Sequence, residues 1–294
     1  MTAPFLRDLV ADTTYDAPTA PGLRERVEAY AARPAASGDA ADVLGPLVVP
    51  DTELPQVQGT VKLLGAATLD VVVTVTGGAG AIEPAVRWAT RQSGIRLVGL
   101  TTTVRDLDDL TRGAHRVAAM VSQLAAEGLL DDVDVQVALP LYARTEGSSR
   151  WQHALDTLAI EDLRLVLRTG GADLDDVPSS ETLAGAIGDA LDREVAFSCA
   201  GDLAHAVAWH EPGTDRVRHG FLNLLLATRA SLDGDDLGTV AERLDLAATD
   251  RVVADLETIG ETSLASARRW FTGIGSEDVD ASLADLRALG LLPG

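Results

Sequence analysis

Lysine and cysteine each occur once in this chain of 294 residues, at Lys62 and Cys199, and aromatic side chains make up 4% of it. A lone cysteine forms no intramolecular disulfide, so the fold has to stand without one, and a reducing cytoplasmic setting is expected. Positive charge is scarce as well: 24 Lys plus Arg stand against 45 Asp plus Glu, for a net charge of -21. A field of that sign repels phosphate backbones and anionic lipid, which argues against nucleic acid or a membrane as partner. No apolar run approaches the ~20 residues that span a bilayer. The opening MTAPFLRDLVADTT lacks the basic-then-apolar order of a signal peptide.

What the chain does contain is core-forming material, at 46% hydrophobic residues, with 27 Gly and 12 Pro spread evenly along it. That profile excludes disorder, collagen and coiled coil. Short β-branched runs, apolar on both faces, recur at Gly45 to Val49, Leu69 to Val75, Ile95 to Thr101, Val133 to Leu139, Leu163 to Arg168 and Val195 to Cys199. Helical periodicity separates them at Ile82 to Gln92, Leu107 to Glu127, Trp151 to Leu158 and Glu181 to Leu191. This alternation is the signature of a parallel sheet covered on both sides or closed on itself. Residues 1–40 read as an N-terminal helical flank, with Leu23, Val27 and Tyr30 on one face before Pro34 and Gly38 stop it. After Cys199 the rhythm breaks: residues 202–270 read as a helical insertion, followed by a strand at Trp270 to Ile274 and a last helix. An eighth strand is sought near Arg216 to Asn223. The expected architecture is one α/β domain over residues 1–294, a TIM-like barrel of seven or eight parallel strands, with a doubly wound open parallel sheet as the alternative.

The chemistry-bearing residues gather at strand ends. Arg168, Thr169, Gly170 and Gly171 follow a strand directly, where paired glycines let main-chain N–H groups approach an oxyanion and Arg168 can grip a carboxylate or phosphate bidentately. A tight turn with Arg168 paired to a structural Asp is the competing role. Gly273, Ile274, Gly275 and Ser276 stand between the last strand and last helix, where barrels commonly bind phosphate. Glu277, Asp278 and Asp280 beside them would repel it, and simple capping by Ser276 or Asp278 is the rival reading. Gly77 to Ala81 opens like a dinucleotide loop but lacks the third glycine and the ribose-binding acid; Arg105 alone would favour a 2′-phosphate, so no cofactor is expected. His205, His210 and His219 cluster near Cys199 and Asp202 without metal-ligand spacing, so no metal is expected; His205 or His219 is the candidate acid or base. Asn223 shares a helical face with His219 and is a candidate substrate donor, with bracing of nearby loops the alternative. Cys199 has no flanking cation to activate it, Lys62 lies before a strand and not at a strand end, and Glu146 is the one other acid suited to base work.

The segments RTGG, FSCAGDLAHAV, HGFLNLLLAT and GIGS with LADLRALGLL, and more weakly GPLVVP, resemble an uncharacterised bacterial family of α/β-barrel-like hypothetical proteins. That resemblance covers about the last half of the chain. Its pattern carries a lysine, a glycine, the first of two histidines and an arginine where this chain has Ser198, Asp202, Ala204 and Ala208. It also has Cys-Ser-Phe where Glu277, Asp278 and Val279 stand. The resemblance thus implies a divergent member stripped of polar groups. Two functions are expected on these grounds. One is an enzyme of lyase or aldolase type, by analogy of fold, acting on a small carboxylated or phosphorylated metabolite; the other is a catalytically inactive barrel that binds a ligand or a partner protein.

Overall fold

The computed structural model describes residues 2–65, 68–104, 108–146, 148–171, 177–211, 213 and 217–293. The elements in chain order are β1 (Val10–Asp12), α1 (Leu23–Ser37), β2 (Leu44–Pro50), α2 (Leu54–Leu64), β3 (Leu69–Val75), α3 (Ile82–Thr90), β4 (Ile95–Thr103) and α4 (Leu110–Ala126). They continue with β5 (Asp134–Ala138), α5 (Tyr142–Glu146), α6 (Ser148–Ile160), β6 (Arg164–Arg168), α7 (Ser180–Leu191), β7 (Phe197–Ala200), β8 (Trp209–His210) and β9 (Val217–Arg218). The last are α8 (Phe221–Asp233), α9 (Leu237–Asp245), α10 (Thr249–Ile259), α11 (Glu261–Ala267), β10 (Phe271–Ser276) and α12 (Val279–Ala288). Strands β1 to β7 and β10 pair in parallel and close into an eight-stranded barrel, with β10 between β7 and β1.

Strand β3 shows how the sequence builds this wall. Val71, Val73 and Val75 are buried in the core shared with the helices, while the alternate Val72 and Thr74 line the barrel's interior. A side-chain period of two puts one set on each face, and both sets are shielded from water, hence the unbroken apolar run. Leu165, Leu167, Phe197 and Phe271 continue the outer layer on β6, β7 and β10. Helix α7 starts at Ser179, whose hydroxyl accepts the Thr182 amide N–H, and α12 starts at Asp278, whose carboxylate accepts that of Ala281.

Four expectations are corrected. The eighth strand lies inside the stretch read as a helical flank, as β1, paired Val10 to Ile274 on one side and Asp12 to Leu47 on the other. Three residues are too few to show a period, and only pairing on both sides makes them a strand. The segment searched for that strand instead supplies β9, which forms a two-stranded antiparallel hairpin with β8 outside the barrel, and the start of α8. The interval read as helical after Cys199 therefore begins with that hairpin and becomes helical only from Phe221 to Ala267. Helix α1 also runs through Pro34, ending at Gly38 with φ of 55°.

Candidate functional site

A barrel interior is ordinarily a packed core of branched side chains. Here several inward positions are small, namely Ala11, Gly99, Ala138, Ala200 and Gly275, and they leave a cavity of about 330 Å³. That is enough for a small metabolite. Hydroxyl and amide groups furnish its wall: Thr13, Tyr15, Thr74, Thr101, Thr103, Gln136, Ser198 and Thr272. The Tyr15 hydroxyl donates to Thr74 Oγ1 at 3.1 Å, and Ser198 Oγ donates to Gln136 Oε1 at 2.8 Å. Burial pushes the Tyr15 phenol upward, so it stays protonated and able to donate. Toward the amino ends of the strands, Arg164 is bound to Asp134 at 2.5 Å.

Arg168 ends β6, pairs in register with Ala200 of β7, and Ala200 with Gly275 of β10, so these residues share the carboxyl-terminal rim. Its side chain is 46% exposed, lines the cavity, and reaches Asp16 at 3.4 Å. It also borders an outer cleft with Gly170, Tyr142 and Thr182. Thr169 is buried and spends its hydroxyl on the Gly201 carbonyl at 2.7 Å and its N–H on the Ala200 carbonyl at 3.0 Å. Gly170 and Gly201 are there for close approach: a Cβ on Gly201, which has φ of 101°, would lie 2.3 Å from the Gly170 carbonyl oxygen. Gly171 follows, and residues 172–176 lie outside the described ones.

On the neighbouring rim Gly275 lines the cavity, whereas Ser276 is fully buried, hydrogen bonded to Ser282 and accepting the Asp278 N–H. Glu277 turns back toward β7. Its Oε1 accepts the Asp202 N–H at 2.9 Å and its Oε2 the Leu203 N–H at 3.3 Å. Burial raises its pKa, and the Asp202 N–H partly offsets that.

Of the remaining candidates only Cys199 borders the barrel cavity; His205, His219, Asn223, Lys62 and Glu146 do not line it. His205 binds Asp285 at 3.1 Å through Nδ1 and meets Trp209 edge-on, beside a separate groove against α12. His219 is buried with Nε2 at 3.0 Å from the Pro178 carbonyl, and burial lowers its pKa. Asn223, fully buried, accepts the Ala208 N–H at 2.8 Å and donates to the Arg243 and Leu246 carbonyls at 2.8 and 2.9 Å, which is the bracing role. Lys62 is exposed on α2, Cys199 is wholly buried with its thiol pKa pushed up by burial, and Glu146 belongs to α5. Gly77 to Ala81 turn from β3 into α3, and Arg105 lies outside the described residues. Among the described residues no three His, Cys, Asp or Glu side chains group as metal ligands, and no helix is long and apolar enough to cross a membrane. Sequence reasoning missed Tyr15 and Gln136, and met Ser198 only as the residue at the position of a lysine in the resembled family; period-two alternation within the expected strand marks Gln136, which alternates with Val135 and Val137.

A scan against family models finds no match, and no curated protein matches the sequence. Solved structures of similar shape do exist. A deoxyribose phosphate aldolase from Aeropyrum pernix, described as tetrameric, matches with a TM-score of 0.55 and 12% identity over 97% of this chain and 93% of that one. A Toxoplasma gondii protein assigned as a deoxyribose-phosphate aldolase matches with a TM-score of 0.50 and 14% identity over 98% and 94%. Closed topology and likeness of shape together make this chain a TIM barrel, with aldolases among its structural neighbours.

Proposed function

We propose that the barrel is a binding chamber for a small hydroxylated carboxylate, held at its acidic end by Arg168 and along its length by the hydroxyl and amide wall. The observation that carries this reading is the position of Arg168: at the carboxyl-terminal rim, lining the cavity, and paired at 3.4 Å with Asp16, an exposed carboxylate that an incoming anion can displace. Arg164, the other arginine on the cavity wall, is engaged by Asp134 at the far end. Tyr15, Thr74, Gln136 and Ser198 can exchange their mutual hydrogen bonds for bonds to ligand hydroxyls at little net cost.

Aldolase-type cleavage is the reading that likeness of shape favours, and the cavity chemistry weighs against its lysine-dependent form. A Schiff base needs an amine beside the substrate carbonyl. The single lysine is exposed on α2, and Ser198, not an amine, lines the cavity at the position where the resemblance implies a lysine. Glycerate and gluconate should therefore raise the melting temperature, glycerol and sorbitol much less. Losing one charge-assisted contact of ~1.5–3 kcal/mol should weaken carboxylate affinity about ten- to hundredfold in Arg168→Ala. An equal response in wild type and variant, or turnover of deoxyribose phosphate by the wild type, overturns the reading.

A further inference from the structure

The place where barrels most often seat phosphate is formed by the loops after the last two strands and a helix N-terminus. In this chain those parts are the loop following β7, the loop following β10 and the start of α12. Positive φ at Gly201 and Asp202, 101° and 58°, bends the first loop so that two successive main-chain N–H groups, of Asp202 and Leu203, face one point. Arg218, held at 2.5 Å by the Asp202 carboxylate and at 2.9 Å by Glu211, fixes that loop from behind. The point itself is taken: both oxygens of Glu277 sit on the two N–H groups.

We propose that Glu277 is a resident anion that closes this seat to phosphate and so restricts the barrel to ligands with one acidic group at the rim. A carboxylate tethered in the chain has no translational freedom to lose, so it outcompetes a free dianion for the same donors, and its charge repels what it does not displace. The seat adjoins the cavity, because Ala200 and Gly275, two residues before Asp202 and Glu277, both line it. The restriction to a single acid rests on Arg168 as the rim cation; the exclusion of phosphate does not.

Inorganic phosphate is the probe, at ionic strength matched with chloride, with binding read by thermal shift and by equilibrium dialysis. Glu277→Ala should bind phosphate at least tenfold more tightly than wild type. Glu277→Gln, which keeps the side chain's volume but has no charge and only one acceptor for the two N–H groups, should fall between wild type and Glu277→Ala. Glu277→Ser serves should the alanine variant not fold. Adding Arg168→Ala to Glu277→Ala should leave most of the phosphate response in place. Equal phosphate affinity in wild type and Glu277→Ala, no phosphate response in a folded Ala or Ser variant, or a response abolished by Arg168→Ala each overturns the proposal; the last would put phosphate on Arg168 and leave the binding reading standing.

Discussion

Replacing Asn223 by alanine strips a side chain that joins α8 to three main-chain groups on two other segments. One acceptor bond is lost at the Ala208 N–H and two donor bonds at the Arg243 and Leu246 carbonyls, all at 2.8 to 2.9 Å. Asn223 is fully buried, so water does not replace them without opening the structure. Each orphaned group costs about 1–3 kcal/mol, and partial relaxation of the loops around Ala208 and Leu246 brings the sum to about 3–5 kcal/mol. For a chain of this size ~2–4 °C accompanies each kcal/mol, so calorimetric melting should fall by about 6–20 °C. Asn223→Asp should be no better: it keeps an acceptor for Ala208 but turns a carboxylate toward two carbonyl oxygens. Because Asn223 does not line the cavity, stabilisation by gluconate should be unchanged. A melting temperature within ~2 °C of wild type would show that these bonds do not hold the insertion in place.

Two further outcomes concern buried titratable groups. Cys199 is wholly buried and burial raises its thiol pKa, so it should resist a thiol reagent such as dithionitrobenzoate until the protein unfolds; stoichiometric labelling of the native protein would contradict the barrel wall as described. His219 has its pKa lowered by burial from the ordinary 6.5, so the unfolded chain takes up its proton at a pH where the folded chain does not. Its contribution is then present above pH 6.5 and lost as pH falls through the folded-state value. Urea unfolding should show wild type losing more stability than His219→Gln between neutral pH and pH 5, at roughly 1.36 kcal/mol for each unit of pKa displacement.

How much of this was legible depended on which residues announce themselves by period. Leu69–Val75 appears in the sequence with the bounds it has in the fold, because a strand covered on both faces leaves an uninterrupted apolar run. β1 offers Val10, Ala11 and Asp12, which no pattern separates from a loop; its identity comes from partners some 30 and 260 residues away in the chain. Arg168 was recoverable, since a charged residue directly after an apolar strand and before two glycines marks a strand's end. The histidines were not: nearness in sequence puts His205 and His219 on one insertion, but the chain leaves the barrel after Gly201, so that insertion carries both away from the cavity. Glu277 was visible as a charge hostile to phosphate, and only the folded chain shows its carboxylate meeting Asp202 and Leu203 across 75 and 74 residues.

Arg168 and Arg164 both line the cavity, and the difference between their partners decides which is free to hold a ligand. Arg164 and Asp134 meet at 2.5 Å with side chains 35% and 48% exposed; Arg168 and Asp16 meet at 3.4 Å at 46% and 40%. At that exposure and separation the rim pair contributes little, in the range of ~0–1 kcal/mol, and an incoming carboxylate loses almost nothing by displacing it. Asp16 thereby becomes a competitor for the cation as well as a source of repulsion for the ligand. Asp16→Asn, which keeps the shape but removes the charge, should tighten carboxylate binding by up to about fivefold, given a pair of that worth. The gain should shrink as salt is raised, since both effects are screened within a Debye length of ~8 Å at physiological ionic strength. Titration calorimetry with gluconate at two salt concentrations reads both. Weaker binding in Asp16→Asn would mean that the Asp16 carboxylate accepts a ligand hydroxyl, and that the acidic end of the ligand lies elsewhere than on Arg168.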